Sequence, residues 1–200
     1  MTTKAFVFDW GDVIALMDTP GFAKTIAERH GIKPDKFHTI ELGHRIKNNS
    51  GKMTDLQYIE ALNRDLGLKL DKKEFFKEFL EGFVKINSEL VEIIKKIKNN
   101  YKILLLTNNN EGFMKYIKKV EFSHLFDKIY NSYDHKMAKP DPKFFNKVLK
   151  DAKLNADECI FVDDNERNIK AARQLGFHVV HYKSFEDFVV RIAAMGIKLK

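Results

Sequence analysis

Residues 4–12 have the sequence KAFVFDWGD, a short apolar run that ends at the carboxylate of Asp9. Apolar runs that end in polar residues recur in residues 102–110, KILLLTNNN, and in residues 159–168, CIFVDDNERN. Short continuous apolar runs bounded by polar residues are typical of strands that are buried on both faces of a parallel sheet. Because ligands bind at the carboxyl ends of the strands in such sheets, we expect the polar residues after the three runs to share one site.

Weaker patterns predict the rest of this sheet. Besides strands at 5–8, 103–106 and 159–162, apolar runs predict strands at 128–130 and 177–181. Segments of helical period lie near 88–98, 110–120, 141–152, 165–175 and 184–195. Short strands that alternate with helices are typical of α/β proteins. We therefore predict an α/β fold with a doubly wound parallel sheet.

The long interval between the first two strands has a different pattern. Apolar residues recur there at helical spacing near 21–30, 34–47, 54–66 and 71–82, with no convincing strand. Thr54 and Gln57 have the spacing of a helix-capping box, and Gly31 and Gly67 suit helix C-termini. The sequence therefore predicts an α-helical cap at residues 16–84, inserted into a core formed by residues 1–15 and 85–200.

Composition restricts the classes of function. The 200 residues carry a formal net charge of +7, mostly from lysines on segments of helical period, which favours a solvated surface over a nucleic-acid interface. The single cysteine, Cys159, excludes an intramolecular disulfide and is typical of a reducing compartment. The apolar run after Met1 is too short for a signal peptide or a membrane span. We therefore expect a cytoplasmic protein, monomeric or homodimeric, that binds neither nucleic acid nor membrane.

Each polar cluster, taken alone, also has a purely structural explanation. Asp164 or Asn165 is suited to cap the helix that follows, and so are residues 107–110. Residues 139–142, KPDP, have the composition of a turn before a helix. The order in which the clusters occur is therefore more informative than any one of them.

Four segments, taken in order, resemble the four signatures of the haloacid dehalogenase superfamily: residues 8–13 (FDWGDV), 106–108 (LTN), 139–140 (KP) and 161–164 (FVDD). The helical insertion after the first strand is similar to the cap of small sugar-phosphate phosphatases and of the phosphatase domain of soluble epoxide hydrolases. This resemblance covers nearly the whole chain. It implies a Rossmann-like core and a hydrolase that acts on small phosphorylated metabolites.

The resemblance also implies a nucleophile and a magnesium site. Asp9 would attack phosphorus and form an aspartyl phosphate, which divides one displacement into two easier steps. Asp9, Asp164 and the backbone carbonyl of Gly11 would hold Mg²⁺, with Asp163 as a further ligand or a neighbouring support. The cation would offset the repulsion among the clustered carboxylates.

Further residues are implied to bind the phosphate group. The Thr107 hydroxyl and the Asn108 amide, near a helix start, would bind phosphate oxygens. Lys139 would supply a positive charge to the nucleophile and the phosphate. Asn168 would orient Lys139 or Asp164.

Residues 42–47 lie where the caps of similar enzymes reach over the active site. We predict that Arg45 contacts the substrate, with His44 or Lys47 as substitutes. A solvated helix face is the alternative explanation of this segment. Three aromatic residues further along fall at helical spacing: Phe75, Phe76 and Phe79. This spacing is more typical of side chains packed inside the cap than of a ligand site.

One position departs from the superfamily pattern. Phosphatases of the superfamily usually carry a second aspartate two residues after the nucleophile, where it protonates the leaving group. The chain has Gly11 there, and an aspartate follows as Asp12. Asp12 is either a substitute acid or a loop residue, and Gly11 is compatible with a backbone of positive φ. For Trp10, beside the nucleophile, packing under the cap is favoured.

Three other functions share parts of this pattern. A 2-haloacid dehalogenase of the same superfamily also lacks the second aspartate, but it does not carry the acidic pair Asp163-Asp164. A phospho-accepting receiver domain has similar residue types in a different order along the chain. A catalytically weak phosphate-binding protein would keep the phosphate site without turnover.

Overall fold

A computed structural model describes residues 2–198, so Met1 and the last two residues of the predicted core lie outside the described part. The strands and helices follow in the order β1 (Ala5–Phe8), β2 (Ala15–Met17), α1 (Thr19–Arg29), α2 (Pro34–Asn49), α3 (Asp55–Leu66), α4 (Lys72–Gly82), β3 (Val84–Ile86), α5 (Ser88–Ile97), β4 (Lys102–Thr107), α6 (Glu111–Ile117), β5 (Lys128–Asn131), α7 (Ser132–His135), α8 (Pro142–Ala152), β6 (Cys159–Asp163), α9 (Glu166–Gln174), β7 (His178–His181) and α10 (Phe185–Ala194). Short 3₁₀ helices cover Glu121–Leu125 and Ala156–Glu158.

Five strands form a parallel sheet in the order β5-β4-β1-β6-β7. The central strand β1 pairs on both sides, so that Phe8 lies opposite Leu105 of β4 and Val162 of β6. This register brings the carboxyl ends of the three strands to one edge of the sheet. The prediction of an α/β fold with a doubly wound parallel sheet is confirmed.

Alternate residues of each strand belong to different layers of the interior, because successive side chains in a strand point to opposite faces. Phe6 and Phe8 join the apolar cluster that contains α5, α6 and α10. Ala5 and Val7 join a second cluster, formed with α8 and α9 on the other face. The continuous apolar run of β1 is therefore explained by helices that cover both faces of the sheet.

The short strands β2 and β3 form an antiparallel pair that the sequence did not predict. The pair lies at the two ends of the helical insertion, and the Asp18 N–H donates to the Phe83 carbonyl at 2.9 Å. The Asn87 side chain donates to the Val13 carbonyl and to the Tyr182 hydroxyl. These bonds fix the points where the chain leaves the core and returns to it.

Helices α1–α4 surround an apolar cluster of their own, which includes the fully buried Phe37 and Leu62. Thr54 and Gln57 form the predicted capping box at the start of α3, and Gly67 ends that helix with a φ of 68°. We propose that residues 16–84 act as the cap, and we use that name for them below. Among residues 2–198, no helix combines the length and the apolar composition needed to cross a membrane.

Candidate active site

A buried lysine lies between two carboxylates at the carboxyl edge of the sheet. The Lys139 Nζ atom is 2.8 Å from Asp9 Oδ1 and 2.7 Å from Asp163 Oδ2. The Lys139 side chain is 1 % exposed and the Asp163 side chain is fully buried. Such a group of charges is stable inside a protein only when its members are paired.

The sheet and one loop position these three residues. The Asp9 N–H donates to the Val162 carbonyl at 2.8 Å, which continues the pairing of β1 with β6. Asp163 is the last residue of β6. Asn108, after β4, accepts from the Lys139 N–H at 2.9 Å and donates to the Lys139 carbonyl at 2.8 Å. The lysine is therefore fixed by its backbone as well as by its ammonium group.

Burial dominates the electrostatics of this site. It raises the pKa of Asp9 to about 7, against the opposing effect of Lys139. Burial and the charges of Asp163 and Asp12 raise the pKa of Asp164 to about 6. Burial alone would lower the pKa of Lys139, but the carboxylates of Asp163 and Asp9 hold it above its ordinary value. The cluster therefore has an excess of negative charge.

The residues present fit a magnesium ion. Carboxylate oxygens of Asp9, Asp163 and Asp164 lie within 4.8 Å of one another. When ionised, the three carboxylates outnumber the single ammonium of Lys139 by two charges, and a divalent cation balances that excess. The backbone hydrogen bonds of the neighbouring loop use the carbonyls of Trp10 and Ala15, and they leave the carbonyl of Gly11 free for a ligand. An all-oxygen set of this kind is what magnesium prefers.

The two adjacent aspartates differ in their bonding. Asp163 Oδ1 accepts from the Asn165 N–H and the Asn168 side chain, and Oδ2 accepts from Lys139 and from Asn168. Asp164 is partly exposed, and its backbone carbonyl accepts from His181 at 2.7 Å if the imidazole carries that proton. Asn168 thus contacts Asp163 directly, and it reaches Lys139 only through this aspartate.

The polar residues after β4 divide into two groups. The Thr107 hydroxyl is buried and accepts from the Asn109 side chain at 2.8 Å. Both ends of the Asn108 side-chain amide are hydrogen-bonded to the backbone of Lys139. The backbone N–H of Asn108 is therefore the group that remains for a phosphate oxygen. Asn110 caps helix α6 by accepting from the Phe113 N–H.

The loop after Asp9 contains an unusual backbone conformation, but at a different residue from the glycine. Asp12 has a φ of +52°, whereas Gly11 is not among the positive-φ residues of the described chain. The Asp12 carboxylate accepts from the Met17 N–H at 2.9 Å. A Cβ at Gly11 would lie 2.6 Å from the terminal methyl of Met17, which belongs to a flexible side chain that can shift. The positive-φ alternative for Gly11 is wrong.

Trp10 is fully buried, as expected, but its aromatic neighbours belong to the core. It stacks on Phe122 at 6.1 Å and meets Tyr116 edge to face at 6.3 Å. Of the residues predicted to contact substrate, Arg45 lines a cleft between cap and core. His44 instead pairs with Asp65 at 2.8 Å, and Lys47 is exposed.

The cap is joined to the core next to this cleft. The Gly112 N–H, in the first turn of α6, donates to Asp55 Oδ2 at 2.8 Å. The Lys136 ammonium donates to the Gly51 carbonyl at 3.0 Å, and the Ser132 hydroxyl donates to the Asn49 carbonyl. Phe75, Phe76 and Phe79 form part of the cleft wall as well as packing inside the cap.

Several residues of the cleft were not predicted from the sequence: Glu41, Asn48 and Tyr58. On α2, the residues Phe37, Glu41 and Asn48 are buried. The spacing of these three residues puts a glutamate and an asparagine on the same helix face as a phenylalanine. This pattern was the sequence signal that could have shown the two polar residues to face inward.

Comparison with known proteins agrees with this geometry. Residues 3–176 match the family described as haloacid dehalogenase-like hydrolase. The chain belongs to this family. Membership of this family makes the protein a hydrolase. The four segments noted in the sequence lie within the matched residues.

The relatives include characterised phosphatases. The chain is 27% identical over 196 residues to the D-ribitol-5-phosphate phosphatase of Bacteroides thetaiotaomicron, covering 92% of this chain and 94% of the relative. It is 25% identical over 186 residues to a sesquiterpene phosphatase of Aspergillus oryzae, covering 90% of each. An HAD family enzyme from Bacteroides thetaiotaomicron, solved with magnesium and inorganic phosphate, has a TM-score of 0.80 at 26% identity, covering 94% of this chain and 98% of that one.

We predict that Lys139→Met lowers the free energy of unfolding by about 3–5 kcal/mol, because it leaves two buried carboxylates without their cation. Urea denaturation in EDTA at pH 8 measures the change. Lys95→Met is the control, since Lys95 pairs with Glu92 on the surface, and we expect little change there. A Lys139→Met protein as stable as the wild type would contradict the role of this ion pair.

Proposed function

We propose that the protein is a magnesium-dependent phosphatase that hydrolyses small phosphorylated metabolites of the sugar-phosphate type through an aspartyl phosphate on Asp9. One observation carries the proposal: Asp9 is in contact with a buried ammonium group and also shares an oxygen cluster with Asp163 and Asp164. This arrangement supports one carboxylate as both nucleophile and metal ligand. The phosphatase relatives, and the related structure that holds magnesium and phosphate, support the same function.

In the first step, an Asp9 oxygen forms a bond to phosphorus while the bond between phosphorus and the ester oxygen breaks. The leaving group takes up a proton and departs as an alcohol. In the second step, water attacks phosphorus, releases inorganic phosphate and restores the Asp9 carboxylate. Asp9 Oδ1 already accepts from the Trp10 N–H at 2.7 Å and from Lys139, which fixes the orientation of the carboxylate.

The other groups act mainly by position and charge, as phosphoryl transfer requires. Asp9 and Asp164 would hold the magnesium ion, which would supply positive charge to the phosphate oxygens. The Thr107 hydroxyl and the Asn108 N–H donate to those oxygens in this proposal. Lys139 holds Asp9 on the side of the site away from solvent. Asn168 keeps Asp163 in position for that lysine.

We propose that Asp12 protonates the leaving group. Its charge contributes to the raised pKa of Asp164, which supports a role for Asp12 beside the carboxylate cluster. Only Oδ1 is engaged, by the Met17 N–H, and Oδ2 has no hydrogen-bond partner among the described residues. The position is one residue later than the usual acid of the family, and the left-handed backbone at Asp12 changes the direction of its side chain.

The dehalogenase alternative is supported less well by this site. A haloacid dehalogenase needs no metal, and a cluster of three carboxylates beside one lysine would then carry uncompensated negative charge. Halide release from a 2-haloacid in EDTA would favour it. Tight phosphate binding without turnover would instead favour the catalytically weak phosphate-binding alternative.

We predict that Asp9→Asn abolishes phosphate release while the protein stays folded, because an amide is neither a nucleophile nor a strong magnesium ligand. Phosphate release is measured with acetyl phosphate and with ribitol 5-phosphate, each with and without magnesium. Circular dichroism verifies the fold. Retained turnover by the purified variant would contradict the proposed mechanism.

The bonding of the acidic pair predicts different effects for its two members. Asp164→Asn should weaken magnesium binding about 10–100-fold and change the free energy of unfolding little, because this residue is partly exposed. Asp163→Asn should mainly lower the free energy of unfolding, because it removes a buried partner of Lys139. Calorimetric titration with magnesium and urea denaturation in EDTA separate the two effects. The reverse pattern would assign the metal to Asp163.

Asp12→Asn tests the proton donor. Asparagine tolerates positive φ and still accepts a hydrogen bond from Met17, so the loop is retained. We expect alkyl phosphates to be hydrolysed about 10²–10⁴-fold more slowly and acetyl phosphate to be little affected, because only alkoxides depend on protonation. Equal losses for both kinds of substrate would mean that Asp12 is a structural residue of the loop.

A further inference from the structure

The cleft between cap and core contains polar atoms that the proposed chemistry does not use. The space inside it is about 490 Å³, including open solvent at its mouth. Six aromatic residues form part of its wall: Phe22, Tyr58, Phe75, Phe76, Phe79 and Phe113. Glu41 and Asn48 of α2 also line it, although they are only 4 % and 0 % exposed. Polar side chains at such depth require partners.

Glu41 is held firmly by one of its two oxygens. Oε1 accepts from the Tyr58 hydroxyl at 2.7 Å and from Arg45 Nε at 2.9 Å. Oε2 is buried and has no hydrogen-bond partner among the described residues. The charge of the carboxylate is offset by Arg45, and Oε2 remains as an unpaired acceptor oxygen at a residue that lines the cleft.

Asn48 presents the same situation two helical turns further along α2. Its Nδ2 group donates to Asp55 Oδ1 at 2.9 Å and to the Met53 carbonyl at 3.1 Å. These two acceptors determine which end of the amide is the nitrogen. Oδ1 is buried and has no partner among residues 2–198. Both unpaired atoms are therefore acceptors, and both belong to one helix of the cap.

Two residues of the cleft wall contact the proposed phosphate site. Asn109 donates to the Thr107 hydroxyl at 2.8 Å. Met17 packs against Gly11, two residues from the nucleophile. A leaving group that extends from a phosphate at Thr107 past Asn109 would enter the cleft.

We propose that Glu41 and Asn48 determine specificity for the leaving group by accepting hydrogen bonds from hydroxyl groups of a polyol or sugar phosphate. This inference rests on the proposed phosphatase function and adds to it the residues that select the substrate. The aromatic walls contact the carbon chain, and the two oxygens bind the hydroxyls along it. Tyr58 and Arg45 are positioning residues that hold the Glu41 carboxylate.

Other leaving groups fit these observations less well. A hydrocarbon chain would contact the aromatic walls but leave both buried oxygens unpaired, which is unfavourable. An ammonium group would be repelled by the positive charge of Arg45, which already offsets the charge of Glu41. A neutral hydroxyl group donates a hydrogen bond without adding a charge.

A pair of substrates with equal chain length tests the proposal. Ribitol 5-phosphate and pentyl phosphate both have five carbons, and only the first carries hydroxyls beyond the ester. We expect the wild type to prefer ribitol 5-phosphate in kcat/KM by at least about 10²-fold, since sites built around buried acceptors reject analogues that lack the donor. Acetyl phosphate serves as the reference substrate, because its leaving group is too small to reach α2.

Glu41→Met removes the acceptor and keeps the side-chain length. We expect the preference for ribitol 5-phosphate to fall by about tenfold or more, with little change for acetyl phosphate. Glu60→Met, at an exposed glutamate on α3, is the control and should retain the wild-type preference. If Glu41→Met does not fold, Glu41→Gln carries the test. In that variant one amide oxygen serves Tyr58 and Arg45, the amide nitrogen faces the cleft, and the same fall is expected.

The outcomes separate this inference from the proposed function. An unchanged preference in the Glu41 variants, or equal losses for the two five-carbon substrates, would overturn the inference. A wild type that hydrolyses acetyl phosphate with magnesium but does not prefer ribitol 5-phosphate would overturn the inference alone. A wild type that releases no phosphate from any of the three substrates would overturn the phosphatase proposal, and this inference with it.

Discussion

The buried contact of Lys139 with Asp9 and Asp163 is the interaction on which the rest of the site depends. Parallel pairing of β1 with β6 brings both aspartates to the same edge of the sheet. Without a cation between them, two carboxylates removed from water would repel each other and lose their hydration. Asn108 and Asn168 then appear as supports, the first holding the backbone of the lysine and the second holding Asp163.

Core and cap contribute different physical interactions. The core supplies charges and hydrogen-bond donors on strand ends, which together with a bound cation suit a phosphate group. The cap end is made of aromatic rings and buried acceptor oxygens, which suit a hydroxylated carbon chain. Because the helices of the cap have an apolar cluster of their own, the residues of the cleft can vary without disturbing the charged site.

The sequence was sufficient for the sheet, the helical insertion and the residues at the strand ends, because each has a strong local signal. The antiparallel pair β2 and β3 was missed because three-residue strands are too short to show a period, and because their pairing joins distant parts of the chain. The inward position of Glu41 and Asn48 was missed for a related reason. On a helix with many charged residues, only packing against α1 and α3 shows which polar side chains are buried.

The central claim is that Asp9 carries the phosphoryl group during turnover. Acid quench of the enzyme within milliseconds of mixing with ³²P-labelled acetyl phosphate and magnesium, followed by peptide mapping, tests it directly. We expect a label that is removed by hydroxylamine, as an acyl phosphate is, and that maps to the peptide containing Asp9. Turnover of the substrate without any labelled protein, or a label on a different residue, would contradict it.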